Sequence, residues 1–234
     1  MFGQELVQNM GIVPIPAQDL DDAAVKSEWI SLRNYGHATV VINVGDTAGG
    51  TFTVTFQEAK DNSGTGAQTL SYGKYYATGQ RLKIGSVSGK FSEGETITGG
   101  TSGLTAYVYA ISNDELLVIP LTGGTTWTDG ETITGGTSGA TAVVSGTGQD
   151  EDILLDRTCS STFTVPAVTF KTYVIEVDAE DLTVEDGYDH FRVCLSDPGA
   201  ATLAGGFVIL SGARQKGLPM PSAIGAQKIS ATNT

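Results

Sequence analysis

Two histidines, His37 and His190, two cysteines, Cys159 and Cys194, and 26 acidic residues are the groups from which a reaction would have to be built. A thiol nucleophile needs a base within hydrogen-bond reach. A strand over Asp189–Ser196 would put His190, Arg192 and Cys194 on one face, so Cys194 is less secure as a core thiol than Cys159. No local nucleophile signature surrounds either. Inert thiols and ordinary surface histidines are the expectation. No His-x-x-x-His or Cys-x-x-Cys spacing occurs, which argues against zinc. Asp178, Glu180, Asp181, Glu185, Asp186 and Asp189 cluster, but without the residue order of an EF-hand loop. A solvated connection is the default reading there, and a Ca²⁺ site the minority one. Two carboxylates for glycoside hydrolysis can be drawn from any chain this acidic, which is no argument for them. The sequence thus assigns no catalytic, cofactor-binding or metal residue, and a non-enzyme is expected.

The clearest signal is a repeat. Gly94-Glu-Thr-Ile-Thr-Gly-Gly-Thr-Ser-Gly103 recurs unchanged at Gly130–Gly139, an offset of 36 residues, the size of one small supersecondary unit. Each copy follows an aromatic residue, Phe91 or Trp127, and precedes an apolar strand. The glycines do not form a phosphate loop: no Lys follows them, Thr and Glu flank them, and they open no helix. Tyr107, Tyr109 and Trp127 give a minority reading of carbohydrate stacking. Glu-Thr-Ile-Thr reads as a short strand and the glycines as a tight turn. Two such units would pack as a small pseudo-twofold barrel or sandwich.

The elements around the repeat read as strands. Gly is high at 31 residues, Thr is abundant and Lys and Arg are few, a turn-rich β composition. Ala38–Val44 is a β-branched run, and Thr51–Gln57 alternates with Phe52, Val54 and Phe56 on one side. Thr169–Val177, Asp189–Ser196 and Phe207–Ala213 continue the pattern. The predicted fold is all-β: a jelly-roll-like β-sandwich core over 27–80 and 149–213, with a two-repeat β domain inserted at 81–148 and facing outward. Residues 1–26 read as an N-terminal arm, packed on its own domain or on a neighbour, with helical turns over Gln18–Ala24. Asp150-Glu-Asp152 reads as an acidic linker. Residues 214–234, with Arg214, Lys216 and Lys228 and no acid, read as a disordered end or a basic docking arm.

The formal charge of −13 would be repelled by phosphate backbones, so no nucleic-acid partner is expected. No apolar run approaches the ~20 residues of a membrane span, and no signal peptide is visible. Synthesis in the cytoplasm is expected, with both cysteines reduced.

Several stretches resemble a family. They are Trp29–Val44 and Val54–Ala67 on one flank, and Tyr173–Leu182, Tyr188–Val193 and Ile209–Arg214 on the other. Together they look like small structural proteins of tailed bacteriophages, of the kind encoded near the major capsid gene. The phrase Gly130–Val144 resembles modules of phage virion proteins. The resemblance implies a head decoration (cement) protein on the capsid surface. Its partner would be the major capsid protein, and its state a homo-oligomer, first of all a trimer. It carries no site residue. The rival readings are a tail, adaptor or fibre-associated component, and a carbohydrate-binding or adhesin module.

Overall fold

The computed structural model describes residues 10–21, 23–122 and 126–213, with backbone alone at 149–152. The C-terminal arm expected over 214–234 lies outside these residues, as do residues 1–9 of the N-terminal one.

The chain is all-β. Along it run β1 (Gly11–Asp19), β2 (Val25–Lys26), β3 (Ile30–Ser31), β4 (His37–Thr47), β5 (Phe52–Ala59) and β6 (Gln68–Leu70). Then come β7 (Lys74–Ser88), β8 (Thr96–Gly99), β9 (Thr105–Ile111), β10 (Glu115–Thr122), β11 (Thr132–Gly135) and β12 (Thr141–Val144). The last are β13 (Gln149–Thr158), β14 (Thr162–Val165), β15 (Lys171–Asp178), β16 (His190–Leu195) and β17 (Thr202–Ser211). A large sheet begins in the order β1-β17-β4-β15-β7, and a small one runs β14-β5-β16-β2, with β3 and β6 at its sides. From β4 onward the chain alternates between the two sheets, apart from the β5–β6 hairpin and the excursion between β7 and β13.

Both sheets feed one hydrophobic cluster. Val40 and Ile42 of β4, Ile175 of β15 and Val208 of β17 meet Val54 and Phe56 of β5 and Phe191 of β16. Phe163 of the small sheet stacks on Tyr75 of the large one at 3.9 Å, so aromatic rings tie the layers together. The alternation in β5 survives as read: Phe52, Val54 and Phe56 are buried.

Three expectations change. Gln18 and Asp19 end strand β1, and the described residues beyond them up to Ala24 are turn, bend or irregular, not helix. Pairing with β17 decides this, since Val13 and Ile15 of β1 lie in the core. Asp150–Asp152 is no linker but part of β13: Asp150 pairs with Gln80 of β7, and the next two residues lie in an irregularity of the same strand before pairing resumes at Leu154. The last strand starts at Thr202 rather than Phe207, because Gly205 and Gly206 hide its alternation.

The repeats form a second cluster inside a closed barrel. β7, β10, β9, β8, β11 and β12 pair in turn, and β12 returns to β7. Thr98 pairs with Thr134, its counterpart 36 residues on, and Arg81 with Leu117, likewise 36 on. A pseudo-twofold axis therefore passes through both pairs. Ile97 and Ile133 are fully buried, and Phe91 and Trp127 join them in the cluster.

The axis explains why the repeat is unchanged. Glu131 of the second copy reaches into the turn of the first, where its Oε2 accepts Thr101 N–H, Ser102 N–H and Ser102 Oγ–H, each at 3.0 Å. Its Oε1 accepts Thr128 N–H at 2.8 Å. Glu95 does the same for Thr137, Ser138 and Ser92. Burial pushes both carboxyls up, but these hydrogen bonds outweigh it and hold both below the ordinary Glu value. Gly99 and Gly135 leave the room: a Cβ there would stand 2.6 Å from the crossing carboxylate.

β7 belongs to both bodies. Lys74–Thr78 pair with β13 and Gln80–Lys83 with β10, so the chain stays in one strand across position 80/81. Trp127 Nε1 donates to Gln80 Oε1 at 2.7 Å at this crossing.

Candidate functional site

Three apolar runs break the two-residue period: Val40-Val41-Ile42, Tyr75-Tyr76-Ala77 and Tyr173-Val174-Ile175. The outer members of each run face the core. The middle member is left on the opposite side of the large sheet, where Val41 and Tyr76 are half-buried and Val174 is 9% exposed. Register then aligns these residues. Pro14 pairs with Phe207, Phe207 with Val41, Val41 with Val174, and Val174 with Tyr76. The result is one apolar row across five strands, about 19 Å long at ~4.8 Å per strand. Phe207 is 36% exposed. Ile12 and Ile209, paired with each other, widen the row at its β1 end.

The row has polar margins. On one side Thr172 Oγ1 donates to Asn43 Oδ1 at 2.8 Å. Beyond that margin Leu203 lies over Gly45, and Phe170, 75% exposed, donates its N–H to Gly45 O. On the other side stands His37 between two carboxylates, with Nε2 2.5 Å from Glu176 and Nδ1 2.7 Å from Asp178. Thr39 Oγ1 also donates to Glu176, at 2.8 Å.

Burial pulls the His37 pKa down, but the hydrogen bonds and charges of Asp178 and Glu176 outweigh it and raise it above 6.5. Both ring nitrogens face acceptors, which is the geometry of an imidazolium. The stabilisation is complete below pH 6.5 and is lost as pH rises through the folded value. An NMR titration should place the His37 midpoint above 6.5, and the Glu176→Gln/Asp178→Asn variant should bring it down. A wild-type midpoint at or below 6.5 would refute this arrangement.

The candidate nucleophiles are not assembled. Cys194 is buried and its Sγ lies 3.6 Å from Gln57 Oε1, while His190 Nδ1 meets Asp189 at 2.5 Å. His190 and Cys194 stand four positions apart on the strand, about 13 Å. Burial pushes both the Cys194 and Cys159 thiols up, away from the reactive thiolate. The 178–189 connection forms two short 3₁₀ turns. Three of its six carboxylates have defined roles in the fold: Asp178 holds His37, Asp181 caps the Asp178 N–H, and Asp189 pairs with Arg33. Among the described residues no group of three or more His, Cys, Asp and Glu could hold a metal. Glu58, buried on β5, anchors the connection through Thr183 N–H at 2.7 Å and Oγ–H at 2.6 Å.

The repeat aromatics serve structure. Trp127 is 2% exposed. Tyr107 lies under the Arg157 guanidinium at 4.3 Å, and Tyr109 donates to Asp156 at 2.8 Å. Both join the barrel to β13.

The apolar row is what the sequence reading missed, because its members come from five strands distant along the chain. The consecutive apolar triplets were the available signal, since a strand buried on one face alone does not need them. Comparison with protein-family models, curated proteins and solved structures gives no match.

Proposed function

We propose that this chain is a head decoration protein of a tailed bacteriophage, an adhesive virion component without catalysis that binds the major capsid protein. The observation that carries the reading is the apolar row Pro14–Phe207–Val41–Val174–Tyr76 on the outer face of the large sheet. Its Pro14 and Phe207 end is exposed and its Val41 and Tyr76 members are half-buried, and an apolar surface with a polar rim is the anatomy of a protein interface. The row sits on rigid, paired strands, so little ordering entropy opposes docking. Buried apolar surface contributes ~25 cal/mol per Å², and many lattice sites multiply a modest single contact when copies are joined. A homo-oligomer, with the trimer as first choice, supplies that joining. The phrases Trp29–Val44 and Tyr173–Leu182, which belong to the resemblance to phage structural proteins, cover most of β4 and β15, the middle strands of this face.

The test is binding of purified protein to capsids stripped of it, together with mass spectrometry of purified particles. Phe207→Asp should weaken binding about 30-fold or more, the loss of one interface hot spot of ~2 kcal/mol, with the fold retained by circular dichroism. Undiminished binding by Phe207→Asp/Phe170→Asp would remove this face from the interface. Detection of the protein in tails alone would replace the head assignment.

A further inference from the structure

The internal symmetry of the barrel makes two of its faces equivalent, and the structure treats them differently. In one, Ile119 is 3% exposed and belongs to the core of the main body, with Tyr109 and Leu117 packed against it. The 36-residue offset puts Lys83 where Ile119 stands, Arg81 where Leu117 stands, and Ser145 where Tyr109 stands. The first face is closed by apolar and aromatic side chains. The second has lost them, and a cavity of about 290 Å³ opens there, lined by Arg81, Lys83 and the Ser145–Gly148 turn.

We propose that this cavity is a binding site for a small carboxylate-bearing ligand, of the size of one sugar-acid residue. The proposal stands apart from the capsid reading and survives its failure. Its volume is at the lower end of small-molecule pockets, which suits a single ring. Two cationic side chains occupy neighbouring same-face positions of β7; Glu115 balances Arg81, so Lys83 is the positive charge that the cavity offers on a chain with a formal charge of −13. Lys83 is exposed and makes no ion pair among the described residues; Glu115, its register partner, bonds to Arg81 instead. That pair fixes the Arg81 guanidinium at the rim and leaves the ammonium of Lys83 to meet a ligand carboxylate.

The floor is pre-formed. Ser145 N–H donates to Lys83 O at 2.9 Å, and Gly146 N–H donates to Asp129 Oδ1 at 2.7 Å, so the turn is pinned over β7. Gly146 and Gly148 carry no side chain into the space. The hydroxyls of Ser145 and Thr147 both donate and accept, as sugar hydroxyls require.

The test uses the full chain and glucuronate as the probe, with glucose and inorganic phosphate as comparators, followed by calorimetry or NMR shifts of the 145–148 amides. Saturable glucuronate binding is expected, weakened by salt, with glucose at least about tenfold weaker for want of the charge-assisted hydrogen bond. Displacement of glucuronate by phosphate would identify oxyanion charge as the feature recognised, in support. Lys83→Ala should cost about tenfold. Ser145→Tyr, which restores the aromatic of the twin face, should fill the cavity and abolish binding with the unfolding midpoint unchanged. Glucose binding as tightly as glucuronate, no saturation by glucuronate, or full affinity in Ser145→Tyr would each overturn the assignment.

Discussion

Replacing Glu95 or Glu131 by alanine should remove about 3–5 kcal/mol of stability from the barrel. Each buried carboxylate takes four hydrogen bonds, three of them from the turn of the other copy. Truncation leaves those donors facing a void, and an unsatisfied buried donor costs about 1–3 kcal/mol. Glutamine keeps the shape but turns an NH₂ towards N–H groups, so it should recover only part of the loss. Guanidinium unfolding followed by Trp127 fluorescence, in a Trp29→Phe background, reads the barrel. A loss below about 1 kcal/mol in Glu131→Ala would show that the crossing carboxylates are dispensable.

The pH dependence has a definite sign. Both carboxyls are held below 4.5 in the folded chain. Their contribution is therefore complete above pH 4.5 and disappears as pH falls through the folded values. The difference between wild type and the double alanine variant should be flat near neutrality and shrink only in acid. A difference that vanishes already at pH 6 contradicts the assignment.

Gly206→Ala should be the most damaging single change in the main body. A Cβ at Gly206 would lie 1.9 Å from the Val41 carbonyl oxygen and 2.9 Å from its carbon. These are backbone atoms of the central strand β4, so no rotamer change relieves the clash. Separation of β17 from β4 would break the core and pull Phe207 away from Val41. A loss above about 4 kcal/mol, read as insoluble protein or a collapsed unfolding midpoint, is expected. Gly85→Ala is the control, because a Cβ there meets nothing within 4 Å. It should change stability by no more than about 1 kcal/mol. Equal midpoints for the two variants would show that the sheet shifts at Gly206 without penalty.

The sequence made some of this legible. The period-two pattern of Phe52, Val54 and Phe56 named the inner face of β5, and the 36-residue offset announced a pseudo-twofold unit. Other parts were masked by local chemistry. Gly79 and Gly85 break the pattern of β7, so a strand of 15 residues shows no clean alternation in the sequence. Asp150–Asp152 looked like a linker because three acids in succession suggest solvent, yet pairing with β7 holds that backbone in β13. The roles of Glu95 and Glu131 were hidden for a different reason: each serves the other copy, and only the barrel's closure brings them there. The face that carries the proposed docking row is assembled from five strands, and register, which local pattern does not encode, puts its members in line.

The register between Arg81 and Gln149 has a further consequence. To the main body, the nearly seventy residues between them are a single closed loop. Were that stretch unstructured, holding its ends together would cost about 4 kcal/mol of chain entropy. The folded barrel abolishes that cost by delivering the two ends already side by side. A lesion confined to its carboxylates therefore does not stay local. It restores the slack, loosens the grip of β13 on β7, and is felt in a core that none of the mutated atoms touches.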